Sequence, residues 1–136
     1  MTKWLAVAAA AVSLVACTKS TTSSTSPTTT PTKTTDTFSG TVPVKGTDMH
    51  AFTVGSSGGE VDVTLTAATP SVTLGLSVGT ASGATCATVA GGSVAVGPGT
   101  TAQLSGVMSP ASYCVAVFDI GNDTQPVSYT VTVAHP

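Results

Sequence analysis

From residue 37 onward, apolar residues alternate with Ser, Thr and Gly, and this pattern restricts the fold more than any other feature of the chain. The segment 60–67 shows it most cleanly, because Val61, Val63 and Leu65 are separated by single polar residues. A period of two places such side chains on one face of a β-strand. No helical period of useful length occurs in this region, so we expect an all-β domain.

Turn-forming Gly, Pro, Asn and Asp residues divide the region into eight short segments. Pro43 favours an edge position for the first, because proline lacks a backbone donor. The segment 113–120 is apolar on both faces, which is typical of a central strand. Seven or eight strands at this spacing predict a single antiparallel β-sandwich. The predicted strands are 37–44, 49–54, 60–67, 72–78, 85–89, 101–107, 113–120 and 127–134, with a Gly-rich stretch after the fifth.

An apolar run of eleven residues, 5–15, follows Lys3 near the start of the sequence. A bilayer-spanning helix needs roughly 20 apolar residues, whereas the core of a signal peptide has about this length. The run ends in Leu14-Val15-Ala16-Cys17, which resembles the lipobox of bacterial lipoproteins. The resemblance implies that residues 1–16 are removed and that Cys17 is lipidated. The partner would then be a membrane of the bacterial cell envelope, the outer membrane where there is one. An ordinary secretory signal with a chance cysteine is the alternative.

Between Cys17 and the first predicted strand lies a segment, 18–36, that consists mainly of Ser and Thr and contains no hydrophobic residue. Such a composition cannot bury enough apolar surface to offset the entropy lost on ordering. It predicts a disordered tether. We therefore expect a signal peptide at 1–16, the lipidated cysteine and tether at 17–36, and the sandwich at 37–136.

Charged residues make up only 7% of the chain, and there is no Arg. Nucleic-acid binding depends on clustered Lys and Arg that meet phosphates, so nucleic acid is excluded as a partner. The only Trp, Trp4, lies in the predicted signal peptide, and Tyr113 and Tyr129 occupy predicted core positions. Sugar binding on an aromatic platform is therefore disfavoured, while an envelope protein or a polysaccharide bound by polar loops stays open as a partner.

Cys86 and Cys114 are the two cysteines that remain after Cys17. An exported protein meets an oxidising environment, so we predict a disulfide between them. Tyr113, Val115 and Val117 should point into the core. Cys114 must then lie on the other face of its sheet, and the bond would lie across or beside the sheet rather than between the two sheets.

Several segments resemble the bacterial pre-peptidase C-terminal domain family. They are Asp48-Met49-His50-Ala51-Phe52-Thr53-Val54, the alternating strand 60–66, Ser109-Pro110-Ala111-Ser112-Tyr113-Cys114-Val115-Ala116-Val117 and Ser128-Tyr129-Thr130-Val131-Thr132-Val133. The resemblance covers about 38–134 and implies a small jelly-roll sandwich accessory to exported enzymes, some of which bind polysaccharide, collagen or calcium. The chain departs from the family at 71–74, where Ser-Val-Thr-Leu replaces an acidic stretch.

A hydrolase is the weakest alternative for the function. The stretch 55–59 formally matches the Gly-x-Ser-x-Gly nucleophile elbow. Ser57, His50 and Asp48 could supply a nucleophile, a base and an orienting acid. Asp48 lies two residues before His50, so both would lie on the same side of an extended strand. The elbow requires a helix after the serine, but a strand is predicted there. We therefore expect no enzymatic activity. His135 is expected to be mobile near the end of the sequence.

Asp119, Asn122 and Asp123 form the one cluster of oxygen ligands that could join a calcium site. The same residue types are preferred in turns because their side chains bond the nearby backbone, and we favour the turn. No cofactor is expected, with calcium as the alternative. The sequence thus predicts a membrane-anchored lipoprotein that displays a non-catalytic β-sandwich with a binding or structural role, or else a calcium-dependent polysaccharide- or protein-binding module.

Overall fold

The structure, a computed structural model, describes residues 31–136. The predicted signal peptide, Cys17 and most of the predicted tether lie outside the described residues. Within them the chain forms eight strands and no helix, and hence no helix that could cross a membrane. The strands are β1 (Thr34–Val42), β2 (Thr47–Val54), β3 (Gly59–Thr69), β4 (Leu74–Ser82), β5 (Thr85–Val96), β6 (Leu104–Met108), β7 (Ala111–Phe118) and β8 (Val127–His135).

The strands form two four-stranded antiparallel sheets. Sheet A has the order β1-β8-β3-β6 and sheet B the order β2-β7-β4-β5. Consecutive strands lie in different sheets, except β4 and β5, which form a tight hairpin within sheet B. This is the strand order of a jelly roll. The predicted all-β sandwich is therefore confirmed. β7 lies inside sheet B and β1 lies at an edge, as the sequence predicted.

One hydrophobic core fills the space between the sheets. Most of its members come from alternating positions of β2, β3, β4, β7 and β8, as expected for strands that bury one face between two sheets. Burying this aliphatic surface supplies the main stabilising term of such a fold. The fully buried large side chains include Leu65, Leu74, Leu76, Val115, Val117, Val131 and Val133.

The structure differs from the prediction mainly in β5 and β6. β5 continues to Val96 through the Gly-rich stretch, so the predicted end at residue 89 is wrong. It can continue because Gly91 takes a φ of 73°, which lets the chain bulge and then pair with β4 again. β6 begins only at Leu104, because Gly99 and Gln103 donate backbone hydrogen bonds to β3 without forming a regular strand.

β4 alternates large and very small residues. The small ones face outward and allow other parts of the chain to pack closely against its outer face. Gly75 lies beneath the Phe118 ring, and a Cβ at Gly79 would collide with the backbone carbonyl of Ala87. The β4–β5 hairpin therefore curls over the outer face of sheet B. The Cys86–Cys114 disulfide, with its Cα atoms 5.8 Å apart, fastens the hairpin to β7 across the intervening β4. The predicted disulfide is thus present, on the outer face.

The tether joins the sandwich at one end, which we call the tether end. Pro31 lies against Gly59 there, and Gly55 donates a backbone hydrogen bond to Pro136. Lys33 forms ion pairs with Glu60, at 3.0 Å, and with Asp62 on the outer face of β3. β1 begins at Thr34, so the last three residues of the predicted tether belong to the strand. The opposite end carries the loops 43–46, 70–73, 97–103 and 119–126.

Candidate functional site

A cleft of about 470 Å³ opens between the sheets on the side of β5 and β6. Its floor is formed by core residues of both sheets, among them Val61, Val63 and Val78. Leu104 and Met108 of β6 form one wall, and the bulge 89–92 of β5 forms the other. A cavity of roughly 300–1,000 Å³ with mainly apolar walls is the usual form of a small-molecule site. We refer to it as the inter-sheet cleft.

The cleft is open because glycines occupy positions where larger side chains would fill it. Gly106 pairs with the buried Val61 and therefore occupies an inward-facing position between Leu104 and Met108. A Cβ at Gly106 would meet no atom within 4 Å. Across the gap, the bulge of β5 presents Gly91 and Gly92. Of β5, only this bulge borders the cleft.

The lining of the inter-sheet cleft is uncharged. Its polar side chains are the hydroxyls of Ser105, Ser109 and Tyr113. The Tyr113 hydroxyl already donates to the Ser109 carbonyl oxygen at 3.0 Å, and the Ser105 hydroxyl donates to Asp62 at 2.6 Å. A buried charge without a partner would be costly here, so the cleft suits a neutral ligand.

A second cluster lies at the opposite side of the sandwich, between the edge strands β1 and β2. Asp48 and His50 share one face of β2, as their spacing predicted, and both contact Tyr129 of β8. The Tyr129 hydroxyl donates to Asp48 Oδ2 at 2.9 Å and lies 2.8 Å from His50 Nε2. Because one hydroxyl carries one proton, His50 Nε2 must be the donor of the second bond. Phe38 stacks on the His50 ring with centroids 4.8 Å apart.

This cluster is built to hold two strands together. Burial, and then the neighbouring Asp48 carboxylate, raise the pKa of Tyr129, so its hydroxyl stays protonated and keeps donating. Gly40 makes the contact sterically feasible, since a Cβ there would displace both Asp48 and Tyr129. Ser57 lies in the exposed loop after β2, and no hydrogen bond joins it to His50 in the described part of the chain. The residues considered for a triad are therefore not brought together.

His135 is the last residue of β8 and is buried, which contradicts the expectation that it would be mobile. Its Nε2 lies 3.0 Å from Asp36 Oδ2 on β1, and its ring lies beside Phe52. The pairing follows from the register, because Thr34 of β1 faces His135 and Asp36 points to the same side. His135 thus helps to close the tether end of the β1–β8 pair.

Asp119 organises the turn between β7 and β8. Its Oδ1 accepts backbone N–H bonds from Gly121, Asn122 and Asp123, and its Oδ2 accepts one from Lys45. These bonds, first the one from Lys45, hold the pKa of Asp119 below its ordinary value. This is the turn geometry that the residue types favour. It also joins the β1–β2 loop to the β7–β8 loop.

The calcium alternative can be tested on the same turn. Calcium takes six to eight oxygen ligands, roughly, from an accessible site. Both oxygens of Asp119 are occupied by the backbone, and the amide of Asn122 donates to the Thr73 carbonyl oxygen at 3.1 Å. Asp123 has oxygens without partners, but its side chain is only 9% exposed. Between residues 31 and 136, no three His, Cys, Asp or Glu residues are grouped to hold a metal ion. In this turn the Asp119 carboxylate is used by the backbone, and the Asp123 carboxylate is the one without hydrogen-bond partners.

The sequence pointed to Asp48 and His50 but not to the inter-sheet cleft or to Tyr129 as their partner. A glycine inside a strand pattern indicates a bulge or a close backbone approach. Gly106, within the predicted strand 101–107, was therefore the one residue that could have indicated the cleft. No protein-family model matches the chain, and a search of curated proteins found no match. The resemblance to the pre-peptidase C-terminal family therefore stays a prediction from the sequence segments alone.

Proposed function

We propose that the protein is a lipoprotein of the bacterial cell envelope, which carries a non-catalytic β-sandwich on a lipidated Cys17 and a Ser/Thr-rich tether. The observation that carries the proposal is the stretch Leu14-Val15-Ala16-Cys17 at the end of an eleven-residue apolar run. Two or more acyl chains would hold the protein firmly, whereas one chain gives only marginal binding, about 10⁴ M⁻¹ for a myristoyl group.

The described domain supports export. Disulfides persist in oxidising compartments outside the cytoplasm, and the Cys86–Cys114 bond fastens the edge strand β5, which otherwise pairs only with β4 in its sheet, to β7. The 13 residues between Cys17 and Pro31 would span about 20 Å as a flexible coil, enough to separate the domain from a lipid surface.

The role of the displayed domain is binding, and the inter-sheet cleft is the site that supports it best. Its volume and uncharged lining fit a ligand site, while the polar side chains of the β1–β2 cluster are occupied with one another. The same pairing supports a non-catalytic role, because a base must reach the proton it removes and His50 Nε2 is bonded to Tyr129.

Mass spectrometry of the N-terminus tests the anchoring. The mature protein should begin at a diacyl- or triacyl-modified Cys17 and should sediment with membranes. A Cys17→Ser chain should lose the acyl mass, while Thr18→Ser, next to it, should retain both properties. A wild-type protein that starts at another residue, or that carries no acyl group, would contradict the proposal.

A further inference from the structure

We propose that the inter-sheet cleft binds the acyl chain of a lipid, with the chain between the sheets and its polar end at the mouth. The first reason is the chemistry of the walls. Val61, Val63, Val78, Leu104 and Met108 offer an aliphatic surface, and none of the lining side chains is charged. Burial of an aliphatic chain against such walls is favourable in proportion to the apolar area removed from water.

The second reason is what the lining cannot recognise. The side chains offer a sugar few hydrogen-bond donors, because two of the three side-chain hydroxyls at the cleft already donate within the protein. A phosphate or a carboxylate inside the cleft would have no cation to pair with. The one aromatic residue in the lining, Tyr113, is 8% exposed and offers no free face for stacking.

The third reason is the position of the cleft. Met108 and Ser109 line it at the tether end, where Gly59 pairs with Met108 and Pro31 lies against Gly59. Pro31 therefore lies near the Met108 end of the cleft. If Cys17 is anchored as proposed above, this end of the cleft lies within the reach of the tether from the lipid surface. The ligand proposal rests on the proposed function in one respect only, namely that the membrane to which Cys17 is anchored supplies the lipid.

Gly106 allows a direct test. A valine there would project into the cleft, and it would be tolerated in a strand because the position is open and has no positive φ. Gly97→Val is the matched control, since Gly97 is equally free of neighbours within 4 Å but does not line the cleft. Thermal unfolding followed by circular dichroism would establish that both variants are folded. Gly106→Ala offers a smaller obstruction if the valine impairs folding.

The experiment is photo-crosslinking of the full mature protein with a long-chain fatty acid that carries a diazirine on its alkyl chain. Adducts should concentrate in the segment 89–109, fall at least five-fold in Gly106→Val and remain unchanged in Gly97→Val. The Cys17→Ser chain identifies the source of the natural ligand. More labelling there would indicate that the protein's own acyl groups occupy the cleft, and equal labelling would indicate a separate lipid.

Uniform labelling of the domain, or labelling that Gly106→Val leaves unchanged, would overturn the proposal. Labelling that an extended apolar peptide abolishes, while unlabelled fatty acid does not, would assign the cleft to a partner strand instead. Because the probe is added from outside, the domain can be labelled even if Cys17 is not acylated. Failure of the anchoring proposal and failure of the ligand proposal therefore give different results.

Discussion

Tyr129 connects β8 of sheet A to the edge strand β2 of sheet B through a single hydroxyl. Tyr129→Phe would leave Asp48 and His50 without their shared partner, and we expect a loss of about 1–3 kcal/mol in the free energy of unfolding. Tyr113→Phe is the control, since that buried hydroxyl meets only the Ser109 carbonyl oxygen, and its loss should cost about 1 kcal/mol. Urea denaturation measures both values. Equal losses would mean that the Asp48–Tyr129–His50 arrangement adds nothing beyond one ordinary hydrogen bond.

Two aspartates in one turn should affect stability with opposite signs. Burial, and then Asp119, raise the pKa of Asp123 above its ordinary 3.8. The Asp123 carboxyl therefore contributes its stability in full below pH 3.8, and this stability is lost as the pH rises through its raised pKa. Asp123→Asn removes this loss, and its melting temperature should exceed that of the wild type by roughly 2–5 °C at pH 7 but not at pH 3.5.

Asp119 provides the contrast. Because the pKa of Asp119 is lowered, its carboxylate contributes stability above the ordinary pKa of 3.8. This stability is lost as the pH falls through the lowered pKa. Asp119→Asn should therefore lower the melting temperature at pH 7, and the difference should shrink in acid. Calorimetry of both variants from pH 3 to pH 7 provides the measurement. Parallel curves for the two variants would contradict the assigned roles.

At the scale of the strand, glycine has different consequences on the two faces of the sandwich. An alanine at Gly79 would collide with the Ala87 carbonyl, which is backbone and cannot move aside alone, so Gly79→Ala should cost about 1–3 kcal/mol. Gly106→Ala enters open space and should stabilise the fold by about 0.4–1 kcal/mol, because it restricts the unfolded chain. Chemical denaturation distinguishes the two. A destabilising Gly106→Ala would mean that the β6 position is more crowded than the structure has it.

Alternation was enough to predict the strands whose two faces differ clearly. The segments that became β3 and β8 show this, because local periodicity records which face meets the core. The length of β5 was missed, since a bulge at glycines interrupts the period without ending the strand.

The candidate sites depended on contacts that periodicity does not contain. The spacing of Asp48 and His50 predicted a shared face, but Tyr129 reaches them only because the jelly roll brings β8 opposite β2. The inter-sheet cleft likewise arises where β5 and β6, distant along the sheets, border one gap. Such contacts depend on which strands pair with one another in space, and the periodicity of a single sequence does not reveal that pairing.

At the scale of the whole molecule, the disulfide links the hairpin of sheet B to the stability of the entire domain. Cys86 and Cys114 are 28 residues apart, and closing a loop of this length should contribute about 3–4 kcal/mol through the entropy of the unfolded chain. The double variant Cys86→Ala/Cys114→Ala should lose about this much, as measured by denaturant unfolding. Ser93→Ala, an exposed change elsewhere in β5, serves as the control.

Loss of the same bond should affect the hairpin before it affects the sandwich. The tip of the hairpin, at Ala84 and Thr85, covers a cavity of about 340 Å³ over the outer face of sheet B, whereas the core between the sheets contains no part of that tip. In the double variant, amide exchange should therefore accelerate in 81–88 and in β7 near Phe118, while β3 and β8 keep their protection under native conditions. This pattern follows because exchange reports local opening, whose free energy is lowest where few buried contacts resist it. If all eight strands lost protection together, the hairpin would belong to the same cooperative unit as the core, and the disulfide would stabilise the sandwich only as a whole.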